Sequence, residues 1–473
     1  MMKENSLRSV LIVVMITSFI TPFTGNAINI AIPAIASEFH STPVLLNMVV
    51  ASYIIASAAF LLPFGRLGDI IGRRKVFVVG MVSFTVTSFF CAIAFSLESL
   101  ILFRVLQGVA SAMIFGTSMA ILISFVPPQE RGKVIGLTVS STYLGLSLGP
   151  VLGGFITAYL SWRFIFYFNS LLGLFVAIFT LLKVPSDSNT TPKETFDLVG
   201  SVLCVAGIVS ILYGVSSISS VFWTRYVLLA GLVLFIIFIR YEMSLTSPLI
   251  KIEMFTRNVP FAFSNLAALI NYAATFASTY MMSLYLQTVM GYNPETAGLI
   301  LLAQPIVMAI LSPYAGKLSD RKQPRMVASW GMGITAIGLF IFIFLSRSTP
   351  IGLVIANLML IGLGFALFSS PNTKAVMSSV SKTFYGVASS TLGTMRLVGQ
   401  AISMTIVTLI TSLYMETLNI GSSNYVIQYL KSSKTAFVVF TVICCLGIFA
   451  SLARGSMETS ENYAEESESK TVS

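Results

Sequence analysis

The stretch GRLGDIIGRRK, from Gly65 to Lys75, decides the fold. It links one long apolar run to the next through a handful of residues, among them three glycines and five charges. A link this short joins antiparallel helices, and glycine at Gly65, Gly68 and Gly72 suits the tight turn. The same cadence returns as Gly316-Lys317-Leu318-Ser319-Asp320. Each copy follows the second apolar run of a set of six. Eight runs separate the copies, so both links fall on one side of whatever the runs cross. Two parallel halves about an axis along the membrane normal explain that register.

Composition says what the runs cross. Charged residues make up 10% of the 473 and apolar residues 56%, against about 25% charged in soluble domains. That little charge cannot coat several soluble surfaces, so lipid is the natural solvent. Runs of spanning length fall near residues 8–35, 44–64, 75–95, 99–125, 134–158 and 161–184. A pair follows near 197–217 and 223–241, then six more near 259–286, 296–315, 326–346, 350–371, 384–413 and 435–453. They are continuously apolar, without the two-residue alternation of barrel strands, so the expected fold is an all-α bundle of fourteen transmembrane helices. The expected organisation is a six-helix half over 1–184, a linker with two additional helices over 185–258, a second half over 259–453 and an acidic, polar cytoplasmic tail over 454–473. The first run continues to Pro33, the length of a full span, and reads as an uncleaved helix despite Lys3 and Arg8 before it.

The basic residues explain the formal charge of +10. Of the 28 Lys and Arg, Arg104 and Arg396 fall within spans, and Arg163, Arg225, Arg347, Lys431 and Lys434 lie in one set of connections. The other 21 lie in the alternate set, which places that set and both termini in the cytoplasm. Clusters spaced this way offer no continuous face for a phosphate backbone, so no nucleic-acid partner is expected. Cys91, Cys204, Cys444 and Cys445 sit in apolar runs without metal-ligand spacing and read as small hydrophobes. His40 reads as a solvated loop residue. No metal set, phosphate loop or soluble catalytic domain is present, so neither an enzyme nor a cofactor is expected.

Several motifs carry a resemblance. GRLGDIIGRRK is similar to the major facilitator loop pattern between the second and third helices. Arg104, Gln107 and Gly108 in RVLQGVASA resemble the fourth-helix motif, and Gly145, Gly149, Pro150, Gly153 and Gly154 in GLSLGPVLGG resemble the fifth-helix antiporter motif. SWRFIFYFN (161–169) and SLYLQTVMGYNPETAG (283–298) are similar to segments of the fourteen-span drug/proton antiporter branch, the EmrB/QacA type. The resemblance implies an inner-membrane secondary exporter of small, largely apolar molecules, acting as a monomer. It also implies a latch in which Asp69, with Gly65, Gly72, Arg73 and the repeat residue Asp320, meets a helix start near Thr383. Independently, glycines four apart form a packing stripe, and Pro150 offers a bend point.

Charges inside spans are costly and face a cavity or a partner, which singles out Arg104 and Arg396. Asn26, Asn29, Asn271, Tyr272, Tyr285, Gln287 and Gln304 are polar candidates for a midplane cavity, or for interhelical hydrogen bonds. One departure from the family pattern matters. Its first-helix aspartate is Thr24 here, within FTGNAINIAIP, and no Asp or Glu falls mid-span. Proton antiport and cationic cargo both lose their natural carboxylate. The alternatives are an exporter of an anionic metabolite with other or no coupling, and, from another class, a membrane sensor that kept the fold without transport.

Overall fold

The computed structural model describes residues 2–39, 43–185, 195–217, 223–245, 247–415 and 425–455; His40 and the tail beyond 455 lie outside them. The first six helices are α1 (Met2–Phe39), α2 (Pro43–Ile71), α3 (Arg73–Ala92), α4 (Leu97–Phe125), α5 (Arg131–Tyr159) and α6 (Arg163–Lys183). Next come α7 (Leu198–Ser217), α8 (Thr224–Glu242) and the single turn α9 (Glu253–Thr256). The remainder are α10 (Val259–Leu284), α11 (Pro294–Leu301), α12 (Ala303–Arg321), α13 (Pro324–Phe342), α14 (Ile351–Ser378), α15 (Tyr385–Met415) and α16 (Tyr425–Leu452). No strand occurs among the described residues. Fourteen helical segments are long and apolar enough to cross a membrane, α11 and α12 together making one of them.

Local chemistry sets the helix boundaries. Ser96 and Ser99 cap the start of α4 reciprocally, each side chain accepting the other's amide at 3.1 Å. Asn258 accepts the Phe261 amide at 2.9 Å to start α10. Such caps satisfy amides that the first turn leaves free. Of the three glycines expected in the turn, only Gly72 makes it, at φ 108° between α2 and α3. Gly65 and Gly68 are helical and serve close packing instead.

The glycine stripe of α5 packs on α1. A β-carbon at Gly145 would meet the Phe19 carbonyl at 2.4 Å, one at Gly149 the Asn26 β-carbon at 2.9 Å, and one at Gly153 the Ala27 α-carbon at 2.6 Å. Gly154 has only Ile30 within reach, at 3.7 Å. Pro150 sits within α5, which runs through it. The second helix set repeats the device, since a β-carbon at Gly399 of α15 would meet the Leu269 carbonyl of α10 at 2.5 Å. Backbones in contact replace the hydrophobic drive that lipid cannot supply.

Helix α7 packs on α2 and α15, with α8 against α7, so the extra pair flanks the bundle. Thr405 of α15 donates to the Val215 carbonyl of α7 at 3.2 Å. At the far end, Glu38 accepts from Arg163 at 2.6 Å and from the Trp162 ring nitrogen at 2.8 Å. The Arg163 hydrogen bond holds the Glu38 carboxyl below its ordinary range. Large exposed apolar side chains such as Leu171, Leu182 and Phe449 suit a lipid surround.

Two expectations need correcting. Arg454, read as the first residue of a solvated tail, is buried against α14, donating to Asn372 Oδ1 at 2.9 Å and to the Ser451 carbonyl at 2.7 Å. That burial pulls its pKa down to about 9. Cys445 is exposed, unlike the other three cysteines, because it lies on the outward face of α16.

The charge bias predicts which end faces the cytoplasm, and two exposed turn positions test it. With Cys445 replaced by serine, Lys322→Cys should resist an impermeant maleimide in intact cells, whereas Ser348→Cys should be labelled. The reverse pattern would invert the topology.

Candidate functional site

The end that carries Arg66, Arg73 and Lys75 is where the two six-helix sets meet most closely. Asp69, near the end of α2, accepts the Gly386 amide on Oδ1 and the Val387 amide on Oδ2, both at 3.0 Å. These are free amides at the start of α15, the helix expected from the sequence. Their partial positive charge favours a carboxylate. Arg73 completes the cluster, its Nε 2.7 Å from Asp69 Oδ1 and its Nη2 bonded to the Lys382 carbonyl.

Asp320 repeats this arrangement in the other direction. From the end of α12 it accepts the Gly132 amide at 2.8 Å and the Lys133 amide at 2.9 Å, at the start of α5. Glycine makes both crossings possible. A β-carbon at Gly65 would stand 2.6 Å from the Gly386 carbonyl, and one at Gly386 2.4 Å from the Gly65 carbonyl. In the second crossing, a β-carbon at Gly316 would stand 2.0 Å from the Gly132 carbonyl, and one at Gly132 2.2 Å from the Gly316 carbonyl. Each latch is therefore a glycine-on-glycine contact with an aspartate clamped beside it.

The cation that balances Asp320 does not come from its own helix. Four residues after Asp69 stands Arg73; four after Asp320 stands Pro324, which has no charge. Lys374 of α14 fills the gap, with Nζ 2.7 Å from Asp320 Oδ1 and 2.9 Å from the Ser319 carbonyl. In the sequence Lys374 is one of the 21 basic residues of the cytoplasmic set, and the uncharged position 324 is the signal that the cation comes from elsewhere. Between the latches, Phe384 and Tyr385 collect cations on their faces. Arg66 and Lys251 lie 5.7 and 4.9 Å from the Phe384 centroid, and Arg73 and Arg131 lie 5.6 and 5.5 Å from that of Tyr385. These contacts bring the two helix sets together at this end.

The two arginines within spans sit in different surroundings. Arg104 is fully buried inside α1–α6, donating from Nε to the Val49 carbonyl at 3.0 Å and from Nη1 to Gln107 at 2.7 Å. Gln107 passes the chain on to Ser88 at 2.7 Å, and the guanidinium lies 4.2 Å from the Tyr53 centroid. Beside them Gly108 lets α4 approach α2, a β-carbon there meeting the Tyr53 carbonyl at 2.5 Å. Arg396 is half-buried on α15, where Nη2 donates to Thr373 at 2.6 Å and the guanidinium lies 5.8 Å from the Tyr272 centroid. Tyr272 stands edge-on to Phe365 at 5.2 Å, and Tyr143, from the other helix set, stands edge-on to the same ring at 6.2 Å. Neither Tyr143 nor Phe365 carries a motif that would single it out in the sequence.

The remaining candidates scatter. Thr24 is buried and donates to the Ile20 carbonyl at 2.7 Å, whereas Asn26 is half-buried and Asn29 exposed. Asn271 is buried, with neither side-chain amide atom hydrogen-bonded among the described residues. Gln304 is buried where α12 crosses Gly362 of α14. Tyr285 and Gln287 do not lie at the midplane. Tyr285 donates to the Ser346 carbonyl at 2.8 Å and Gln287 to Ser283 at 3.0 Å, within the π-helical turn Tyr285–Val289. The 26 residues of α10 rise about 39 Å at 1.5 Å per residue, which carries this turn to the far end.

Two six-helix sets joined at one end by matched aspartate-to-helix-start contacts have the arrangement of parallel repeats about an axis along the membrane normal. The chain belongs to the major facilitator superfamily, whose family model matches residues 14–265 and 264–472. It is 27% identical over 443 residues to the riboflavin transporter RibZ of Clostridioides difficile, covering 93% of this chain and 95% of that one. To the multidrug resistance protein Stp of Mycobacterium tuberculosis it is 30% identical over 384 residues, covering 80% and 71%. Among solved structures, the proton:xylose symporter XylE superposes with a TM-score of 0.67 at 14% identity, covering 97% of this chain and 99% of that one. The protein is thus a multi-pass membrane transporter with fourteen candidate spans among the described residues.

The latch geometry predicts that Asp69→Asn and Asp320→Asn each open the closed end. Losing charge at a helix start costs about 0.3–2 kcal/mol, enough to change a two-state ratio by up to tens of fold. Spin labels at the ends of α2 and α15 should show a longer distance population in Asp69→Asn, and labels on α12 and α5 should do so in Asp320→Asn. Unchanged distances in both variants would show that the latches do not set the conformer ratio.

Proposed function

We propose that this chain is a secondary transporter that exports small, largely apolar organic compounds by alternating access, with the paired aspartate latches closing the cytoplasmic end. The observation that carries the reading is the two-fold recurrence of one device. Asp69 of α2, held by the start of α15, and Asp320 of α12, held by the start of α5, bridge the two helix sets through contacts that must part together for the pathway to open at that end. A protein that only sensed a ligand would have no need of two matched, separable clamps. The likeness to Stp, named for multidrug resistance, supports organic cargo and export; the likeness to RibZ, named for riboflavin, supports a ring-bearing cargo.

Coupling is the second element of the proposal. Thr24 occupies the family aspartate position, and its hydroxyl is committed to its own helix at the Ile20 carbonyl. A threonine cannot carry a proton in exchange for cargo. We therefore infer transport with little stoichiometric proton exchange, in which the cargo gradient or another ion supplies the drive.

Reconstitution into liposomes tests both elements. Cargo efflux is expected, with initial rates changing less than about twofold when a pH gradient is imposed. Thr24→Asp, which restores a titratable group, should make the rate depend steeply on that gradient or admit cations. Stoichiometric proton exchange by the native protein would refute the coupling claim, and failure of a chemically diverse panel to move would refute transport.

A further inference from the structure

We propose that the site around Arg396 binds planar aromatic compounds bearing an anionic group, the anion on the guanidinium and the ring system against Tyr272, which Tyr143 and Phe365 back. The inference rests on the transporter reading above and names its cargo class. Arg396 lies eleven residues along α15 from Tyr385, about 16 Å up the helix at 1.5 Å per residue. That is close to the middle of a hydrocarbon layer about 30 Å thick. A cation at that depth needs a partner or a water-filled space.

Its partners within the protein are few. Thr373 supplies one hydrogen bond at 2.6 Å and Tyr272 one ring face at 5.8 Å, while Nε has no hydrogen-bond partner among the described residues. No carboxylate forms an ion pair with it; the described Asp and Glu residues lie at or beyond helix ends, as Asp69, Glu98 and Asp320 do. Arg104 offers a contrast in burial: its Nη2 also lacks a hydrogen-bond partner among the described residues, but a carbonyl, an amide and a tyrosine ring shut it off from any ligand, whereas Arg396 is half-buried. Of the two arginines within spans, Arg396 is therefore the one that an external anion can reach. A carboxylate or similar group would complete it with charge-assisted hydrogen bonds, and a guanidinium suits such planar acceptors better than an ammonium.

The aromatic groups argue for the rest of the ligand. Tyr143 and Tyr272 meet Phe365 edge-on at interplanar angles of 86° and 87°. Tyr143 and Phe365 are themselves buried and Tyr272 is half-buried, so a flat π-system would pack on the Tyr272 ring, which the other two rings back. Tyr143 belongs to α5, whereas Tyr272, Phe365 and Arg396 belong to α10, α14 and α15. A ligand held there lies against α10 and α15 of one half and beside the Phe365–Tyr143 contact that joins it to the other. A flat cation would meet Arg396 with no carboxylate at that level to offset the repulsion.

Two xanthene dyes of matched ring shape and opposite charge, fluorescein and rhodamine 123, test this in the full-length protein in lipid nanodiscs, with empty nanodiscs as baseline. Anisotropy titration should show fluorescein binding about tenfold or more tighter than rhodamine 123, the contribution expected of a charge-assisted pair. Arg396→Gln should abolish the preference, Arg396→Lys should weaken but keep it, and Tyr272→Leu should weaken both dyes alike. Equal or tighter binding of rhodamine 123, no binding of either dye, or an unchanged ratio in Arg396→Gln would overturn the proposal. Should Arg396→Gln fail to fold, the wild-type dye pair and Arg396→Lys decide it. Fluorescein binding with the predicted preference but without dye movement across proteoliposomes would sink the transporter reading and leave the site standing.

Discussion

Everything at the closed end depends on a carboxylate removed from water. Asp69 is 4% exposed, and a buried, unpaired carboxylate is strongly destabilising. It is tolerated because two backbone amides and a guanidinium converge on it. Those amides belong to the opposite half of the molecule, so their share of the relief is present only while the halves are together. The same feature that makes the contact strong when closed makes it sensitive when parted, which is what a two-state device requires.

Glycine follows from this constraint. For Asp69 to reach amides at the start of α15, the end of α2 must come within backbone contact of that helix, and the Gly65–Gly386 crossing allows it. The Gly132–Gly316 crossing does the same for Asp320. Where lipid surrounds both helices, small residues are also what holds them together, and the stripe at Gly145, Gly149 and Gly153 applies that rule within one half. The motif associated with antiport thus has a packing explanation of its own, in which α5 is seated on α1 while its other end receives Asp320.

The sequence made the large features legible because lipid constrains them strongly. Helix number, parallel repeat, the Asp69 latch and the helix it meets all follow from apolar run length, charge placement and one resembling motif. What the sequence hid depends on contacts between distant helices. Pro324 shows that the second latch lacks its in-helix cation, but nothing local says that Lys374, fifty-four residues after Asp320, supplies it. Arg104 and Arg396 look alike in sequence, each a lone charge in an apolar run. Only packing separates the enclosed one from the one facing Tyr272. Tyr285 and Gln287 stand at the end of the apolar run 259–286, so their depth, away from the midplane, is legible in the sequence.

The two halves share a latch but not its electrostatics, and that difference has a mechanical consequence. Arg73 sits on the same helix as Asp69, so the pair travels together and only the amides are lost on opening. Lys374 sits on α14, a helix other than that of Asp320, yet within the same half. On opening, Asp320 also keeps its cation and loses only the amides of α5. Both aspartates therefore remain neutralised in either state, and the difference between states reduces to the helix-start interaction, about 0.3–2 kcal/mol at each latch. A pair of such latches biases the equilibrium by an amount that cargo binding across Tyr143 and Arg396 can match. A full buried ion pair broken at each step, about 3–5 kcal/mol, would instead lock the transporter shut.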